Sequence, residues 1–221
     1  MLHPYTDSYK RKDVNRNMAD TKTRSLILAS AIKLFGERGK AAVSTADIAR
    51  DARVNKALIF YHFTSKNELY RTAFLKQLRE FVEHVCGRMS EVEPGLPAVE
   101  TFVRSHIAML IENKHMVRMI IRELLFCDDE TDVAFRDFAE VFKTLRDDIH
   151  RSLLSASTRG QIRDVDPLQT IVSIVSLDIF YFLSTPLVRM LNPGVDSDQF
   201  EAKRIDHVVD LLMNGLRKQQ E

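Results

Sequence analysis

Apolar residues recur at helical spacing along most of this 221-residue chain, and polar breaks separate the stripes. Ile27, Leu28, Ala31, Leu34 and Phe35 predict a first helix from about Asp20 or Thr21 to Arg38, with Gly39 placed to end it. Two short helical patterns follow. Thr45 to Ala52 carries Ile48 and Ala49 inward behind a Ser44 or Thr45 cap, with Asp47 as a capping-box variant. Asn55 caps a compact helix to Tyr61, and Ser65 with Glu68 forms an S-x-x-E box opening a fourth helix that runs to about Met89. Glu93-Pro94-Gly95-Leu96-Pro97 is the strongest break after that. Beyond it, helices are expected over about Ala98 to Glu112, His115 to Phe126 and Asp132 to Ser157. Asp166-Pro167 starts another to about Leu191, and the last covers about Gln199 to Arg217. The expectation is an all-α chain of about nine helices with no strand.

Composition changes this picture little, and charge changes it more. Cys86 and Cys127 are the only cysteines, which suits reduced thiols in a cytoplasmic protein. The N-terminus has no apolar central region of a secretory signal. Residues 20–70 hold nine cations against five carboxylates, and the first 19 residues carry a net +2, so the rest is acidic under a formal total of +1. A basic head on an acidic body suits phosphate binding. Residues 1–19 read as a flexible basic tail, either solvated or touching DNA through Lys10, Arg11, Lys12 and Arg16, and Met18 is an alternative start. The domains expected are this tail, a head over 20–68, and a body over 69–221.

The stretch Ser44 to Leu69 carries the candidate chemistry. A short helix presenting Lys56, Phe60, Tyr61 and His62 suits the major groove of DNA, so the pattern reads as a helix-turn-helix. Lys56 can donate to guanine O6 and N7, and helix N-termini and hydroxyls donate to phosphate. No metal-ligand spacing, glycine-rich phosphate loop or G-x-S-x-G nucleophile motif stands out. No enzyme activity, metal or cofactor is therefore expected. In the body, Phe102, His106, Met109, Met119, Phe126, Phe142 and Tyr181 suggest a pocket for a hydrophobic or aromatic effector. Asp178, in an apolar helix, has either a buried partner or a place at the pocket or interface. Ser residues, Asp178 and Pro186 interrupt that helix, so no membrane span is expected. The last two helices have more apolar surface than one bundle side covers. A homodimer through Ile174, Phe182, Phe200, Ile205, Val208, Val209 and Leu212 is therefore expected.

The segments ILASAIKLFGERG, STADIA and VNKALIFYHFTSKNEL, in this order over Ile27 to Leu69, resemble the tetracycline-repressor (TetR) family of transcriptional regulators. The resemblance implies an N-terminal three-helix DNA-binding domain and a C-terminal helical bundle for ligand binding and dimerisation. It implies a dimer that holds a double-stranded DNA operator, probed as a pseudo-palindrome, and a small-molecule effector that releases it, as in a repressor. Carried onto this chain, it assigns Thr45 and Lys66 to phosphate contacts. Asn55, Lys56 and Ala57 fall at the base-reading end of the recognition helix, and Phe60, Tyr61 and His62 fall where aromatic and imidazole groups meet backbone and bases. Arg53 stands where the family's turn commonly has glycine, which implies either a wider turn or a left-handed Arg53. Ala57 and Phe60 also depart from frequent residues, and Phe60 has no hydroxyl to give, leaving it an apolar or thymine-methyl contact. The rival reading is a soluble small-molecule-binding protein with a vestigial head.

Overall fold

The computed structural model describes the backbone of residues 5–126, 133–194 and 196–218, and the side chains of residues 18–125, 136–194, 196 and 199–218. Among the described residues there are nine α-helices and no strand, only an isolated bridge between Ile162 and Arg217. The chain divides into two compact units, Met1–Phe74 and Leu75–Glu221, a boundary a few residues later than the head–body division expected at 68.

The first unit holds α1 (Tyr5–Arg38), α2 (Thr45–Asp51), α3 (Lys56–His62) and the first turns of α4 (Lys66–Ser90). α1 begins at Tyr5 instead of near Asp20, which corrects the expected start of the first helix. The physical reason lies in the sequence. After Pro4 no Gly or Pro interrupts the segment, and its lysines and arginines are good helix formers, but its largely polar turns leave no apolar stripe to read. The side chains of Lys10, Arg11, Lys12 and Arg16 lie outside the described residues.

The core of this unit is the expected stripe. Ile27, Leu28, Ala31, Leu34 and Phe35 of α1 are buried with Ile48 and Ala49 of α2, Ile59 of α3, Phe63, Leu69 and Phe74. Phe35 meets the Tyr70 ring edge-on at 5.1 Å. Gly39, at φ 81°, ends α1 in the left-handed geometry that costs glycine least, and its N–H reaches the Phe35 carbonyl. Lys33 of α1 donates to Asp51 of α2 at 2.8 Å, and this hydrogen bond holds the Asp51 carboxyl below its ordinary range.

The second unit holds the rest of α4 with α5 (Leu96–Glu112), α6 (Lys114–Phe126), α7 (Val133–Thr158), α8 (Pro167–Leu191) and α9 (Ser197–Leu216). α5 is the central helix, packed against α6, α7, α8 and α9. Its Val99, Phe102, Val103, Ile107 and Leu110 are almost wholly buried. Gly95 precedes α5 at φ 122°, and a Cβ there would stand 2.9 Å from Gln161 Oε1, the oxygen that accepts from the Leu96 N–H. Asp166 caps α8 through Gln169 N–H at 2.8 Å, with Pro167 in the first turn as the sequence predicts. Lys114 at the start of α6 makes two 2.9 Å hydrogen bonds to the buried Glu201 of α9.

Candidate nucleic-acid interface and ligand cavity

Local capping builds the head's α2 and α3. Ser44 caps α2 in a full capping box: its Oγ accepts from Asp47 N–H at 3.1 Å, and Asp47 Oδ2 accepts from Ser44 N–H at 3.0 Å and Oγ at 2.6 Å. These bonds from Ser44 hold the Asp47 carboxyl below its ordinary range. Asn55 caps α3 by accepting from Ala57 N–H at 2.9 Å. Ser65 Oγ accepts from Glu68 N–H, while the Glu68 carboxylate reaches one residue further back than a regular box, to Thr64 N–H and hydroxyl. Those Thr64 bonds pull the Glu68 carboxyl down. Between α2 and α3, Arg53 sits at φ 55°, so the left-handed alternative is the one the chain adopts. For a side-chain-bearing residue that costs about 1–2 kcal/mol.

α3 then divides by helical period. Ile59 and Phe63 are buried, and Ala57, Phe60 and Tyr61 turn outward, with Phe60 50 % and Tyr61 69 % exposed. Asn55 and Lys56 are exposed at the helix start, and Lys56 Nζ lies 6.0 Å from the Phe60 ring centre. Lys66 and Thr45 are half-buried in the first turns of α4 and α2. His62 departs from its expected role. Its side chain is only 5 % exposed, with Nε2 3.6 Å from Asp20 of α1 and no hydrogen-bond partner. The imidazole therefore shares the inward face of Ile59 and Phe63 and is not on the surface that Phe60 and Tyr61 present.

The body contains a cavity of about 240 Å³ lined by α4, α5, α6, α7 and α8. Of the residues expected there, Phe102, His106 and Phe142 line it. His106 Nδ1 lies 2.5 Å from Asp178 Oδ2, so Asp178 stands behind the wall as the histidine's partner. Burial pushes the Asp178 carboxyl up, and the His106 hydrogen bond opposes that shift. Met119 is wholly buried away from the lining, and Met109 takes part instead in a contact with Asn113. Tyr181 stacks on Phe200 at 5.9 Å beneath the Arg204 guanidinium, also away from the cavity. The side chain of Phe126 lies outside the described residues. Sequence reasoning missed Phe81 of α4 and the α8 row Ile171, Val175 and Ile179. Their i, i+4, i+8 spacing marks one helix face, but α8 is apolar on most sides and gives little contrast from which to select it.

The expected interface residues divide likewise. Ile174, Val208 and Val209 are buried within the body itself, so a surface role for them is corrected. Phe182, Ile205 and Leu212 are half-buried, and Phe200 is 37 % exposed. The exposed apolar face of α8 is instead Leu168, Val172, Phe180, Leu183 and Leu187. By length and composition alone, α8 is the one helix among the described residues able to cross a membrane.

Comparison with known proteins agrees with this architecture. The family model for bacterial regulatory proteins of the tetR family matches residues 27–73, and that for a tetracyclin repressor-like C-terminal domain matches residues 96–212. The "Probable HTH-type transcriptional regulator ArpR" of Pseudomonas putida is 40 % identical over 202 residues, covering 86 % of this chain and 91 % of that protein. Among solved structures, AibR in complex with isovaleryl coenzyme A and operator DNA superposes with a TM-score of 0.69 at 21 % identity, over 86 % of this chain and 98 % of that one. FadR from Bacillus subtilis in complex with stearoyl-CoA does so at 0.68 and 18 %, with the same coverage of each chain. With a capped helix-turn-helix head, a helical body and both family models matched in order, this chain belongs to the tetR family of DNA-binding transcriptional regulators.

Proposed function

We propose that this regulator is a cytoplasmic homodimeric repressor that holds a pseudo-palindromic operator through α3 and releases it when a small hydrophobic or aromatic effector fills the body cavity. The observation that carries this reading is the outward face of α3. Lys56, Phe60 and Tyr61 stand exposed behind the Asn55 cap, while Ile59 of the same helix anchors it in the core. Lys56 and the α3 N-terminus supply donors for base edges and phosphates. Lys66 and Thr45 supply further phosphate contacts from the neighbouring helix starts, and Ala57 and Phe60 supply an apolar surface for thymine methyls. The complexes of AibR with isovaleryl coenzyme A and operator DNA, and of FadR with stearoyl-CoA, support a body that takes ligands in this fold.

The exposed α8 face supports the dimer. Leu168, Val172, Leu183 and Leu187 form an apolar row on an otherwise folded body, and a second copy related by a two-fold axis would cover it. The same axis would set two α3 helices one DNA turn, or a multiple of it, apart. The chain is read as a regulator and not an enzyme, in keeping with the transcriptional regulators it is similar to.

The test is a mobility-shift assay at low salt with duplex DNA from upstream of the protein's own gene. Binding is expected for the wild-type chain and is expected to weaken when Tyr61 and Lys66 are both exchanged for Ala, with the helical circular dichroism unchanged. If the wild-type chain leaves this DNA unshifted, the repressor reading fails and a vestigial head takes its place.

A further inference from the structure

The cavity wall carries one polar device. His106 is 3 % exposed, flanked edge-on by Phe81 at 5.4 Å and at a tilt by Phe102 at 5.2 Å. Its Nδ1 is committed to Asp178, which leaves Nε2 as the polar atom His106 can offer the cavity. Asp178 Oδ1 is buried with no hydrogen-bond partner. The cation whose field reaches it, Arg204, donates to the Leu177 carbonyl and lies over the Tyr181 ring, and its effect is the smallest acting on that carboxyl.

The proton count at this pair decides what the cavity presents. A neutral imidazole donating to a bare carboxylate would bury a net charge beside an oxygen that no donor reaches, which is costly. One further proton removes that charge. Placed on the carboxyl, it donates to Nδ1, and the ring's own hydrogen then sits on Nε2. Placed on the ring, it makes an imidazolium, whose Nε2 also carries hydrogen. Either electroneutral arrangement makes Nε2–H a donor.

Around that donor the lining is apolar. Among the described residues its other polar member is Arg146, whose side chain is 53 % exposed and donates twice to Asp147. A single N–H cannot satisfy a buried carboxylate, which has about four acceptor sites and a full charge. It does suit one carbonyl oxygen. An apolar cavity of about 150 Å³ holds benzene, so about 240 Å³ takes roughly ten non-hydrogen atoms.

We propose that the effector is an uncharged ketone or aldehyde on a single aromatic or alicyclic ring, its carbonyl oxygen accepting from His106 Nε2–H. This rests on the reading of the cavity as the effector site. The probes are acetophenone, its isostere α-methylstyrene, in which a methylene replaces the oxygen, and benzoate, which matches both in size and carries a charge. Calorimetric titration of the full chain is expected to show acetophenone binding about tenfold more tightly than α-methylstyrene. Benzoate is expected to bind more weakly than either, and His106→Phe is expected to abolish the preference between the two neutral compounds. Ring ¹⁵N spectra of the wild-type protein, which need no variant, are expected to show the His106 Nε2 protonated. Equal binding of the neutral pair, stronger binding of benzoate, a preference unchanged in His106→Phe, or an unprotonated Nε2 would overturn the proposal while leaving the cavity reading intact. Failure of all three compounds to bind at millimolar concentration would overturn both.

Discussion

Exchanging Leu183 for Glu places a carboxylate in the middle of the exposed α8 face, between Phe180 and Leu187. In the isolated chain Leu168, Val172, Phe180, Leu183 and Leu187 are 59, 52, 65, 49 and 52 % exposed. Full burial of such side chains is worth about 1.5–3 kcal/mol each, so covering the half that remains open gives about 1 kcal/mol apiece. Over both copies in a two-fold interface that is on the order of 10 kcal/mol gross, against an association cost of about 4–15 kcal/mol. A dimer held mainly by this face therefore has little margin. Leu183→Glu forfeits about 1 kcal/mol per copy and buries an unpaired carboxylate on each, which costs several kcal/mol more. A total loss of about 4 kcal/mol or more corresponds to at least about a thousandfold weaker association. Sedimentation equilibrium at micromolar protein is expected to give a dimer for the wild type and a monomer for the variant, with the same helical circular dichroism. A monomeric wild type, or a variant that stays dimeric, would refute the assignment of this face to a second copy. Wild-type protein floating with lipid vesicles would refute it too, by giving the α8 face a membrane as its cover.

Arg53→Gly should stabilise the head by about 0.5–1 kcal/mol, because relief of about 1–2 kcal/mol of left-handed strain exceeds the entropy glycine adds to the unfolded chain; a Tm that falls in calorimetry would count against the strain. Ser44→Ala should cost about 1 kcal/mol by removing the α2 cap. It should also flatten the acid side of the stability curve. Ser44 holds the folded Asp47 carboxyl below its unfolded value, so that contribution is complete above the ordinary range near pH 4 and is lost as pH falls through the depressed folded value. Urea titrations from pH 6 to pH 3 measure this, and parallel curves for variant and wild type would contradict it. Lys56→Ala should weaken operator binding by about 1–3 kcal/mol if Lys56 reads a guanine, flattening the base preference at that position. If it touches phosphate alone, the loss is uniform across sequences and the salt slope falls by about 1, so anisotropy titrations on point-mutated duplexes separate the two; an unchanged affinity would remove Lys56 from the interface.

The head was readable because its signals are local. Ser44, Asn55 and Ser65 mark helix starts whatever surrounds them, and the inward stripe of α1 needs only its own spacing. His62 shows where motif and geometry part company. Grouped with Tyr61 by resemblance, it lies three residues after Ile59 and one before Phe63, and that spacing turns it inward with them. The body was less legible because α8 is apolar on most sides. Ile174, Asp178 and Tyr181 face the body's own core, Ile171, Val175 and Ile179 face the cavity, and Leu168, Val172 and Leu183 face outward. Little contrast of polarity tells these three faces apart, so the burial of Ile174 and the exposure of Phe180 follow only from where α5, α6 and α7 pack. The early start of α1 was hidden for the opposite reason, since its largely polar first turns give no face to read.

Selection of duplexes from a random library by the purified full-length chain tests the central claim most directly. The account predicts enrichment of an inverted repeat, with half-sites one helical turn or a multiple of it apart, and loss of that enrichment when Lys56 and Tyr61 are exchanged for Ala. A library that emerges without a shared sequence, or the same repeat recovered by the doubly substituted protein, would contradict it.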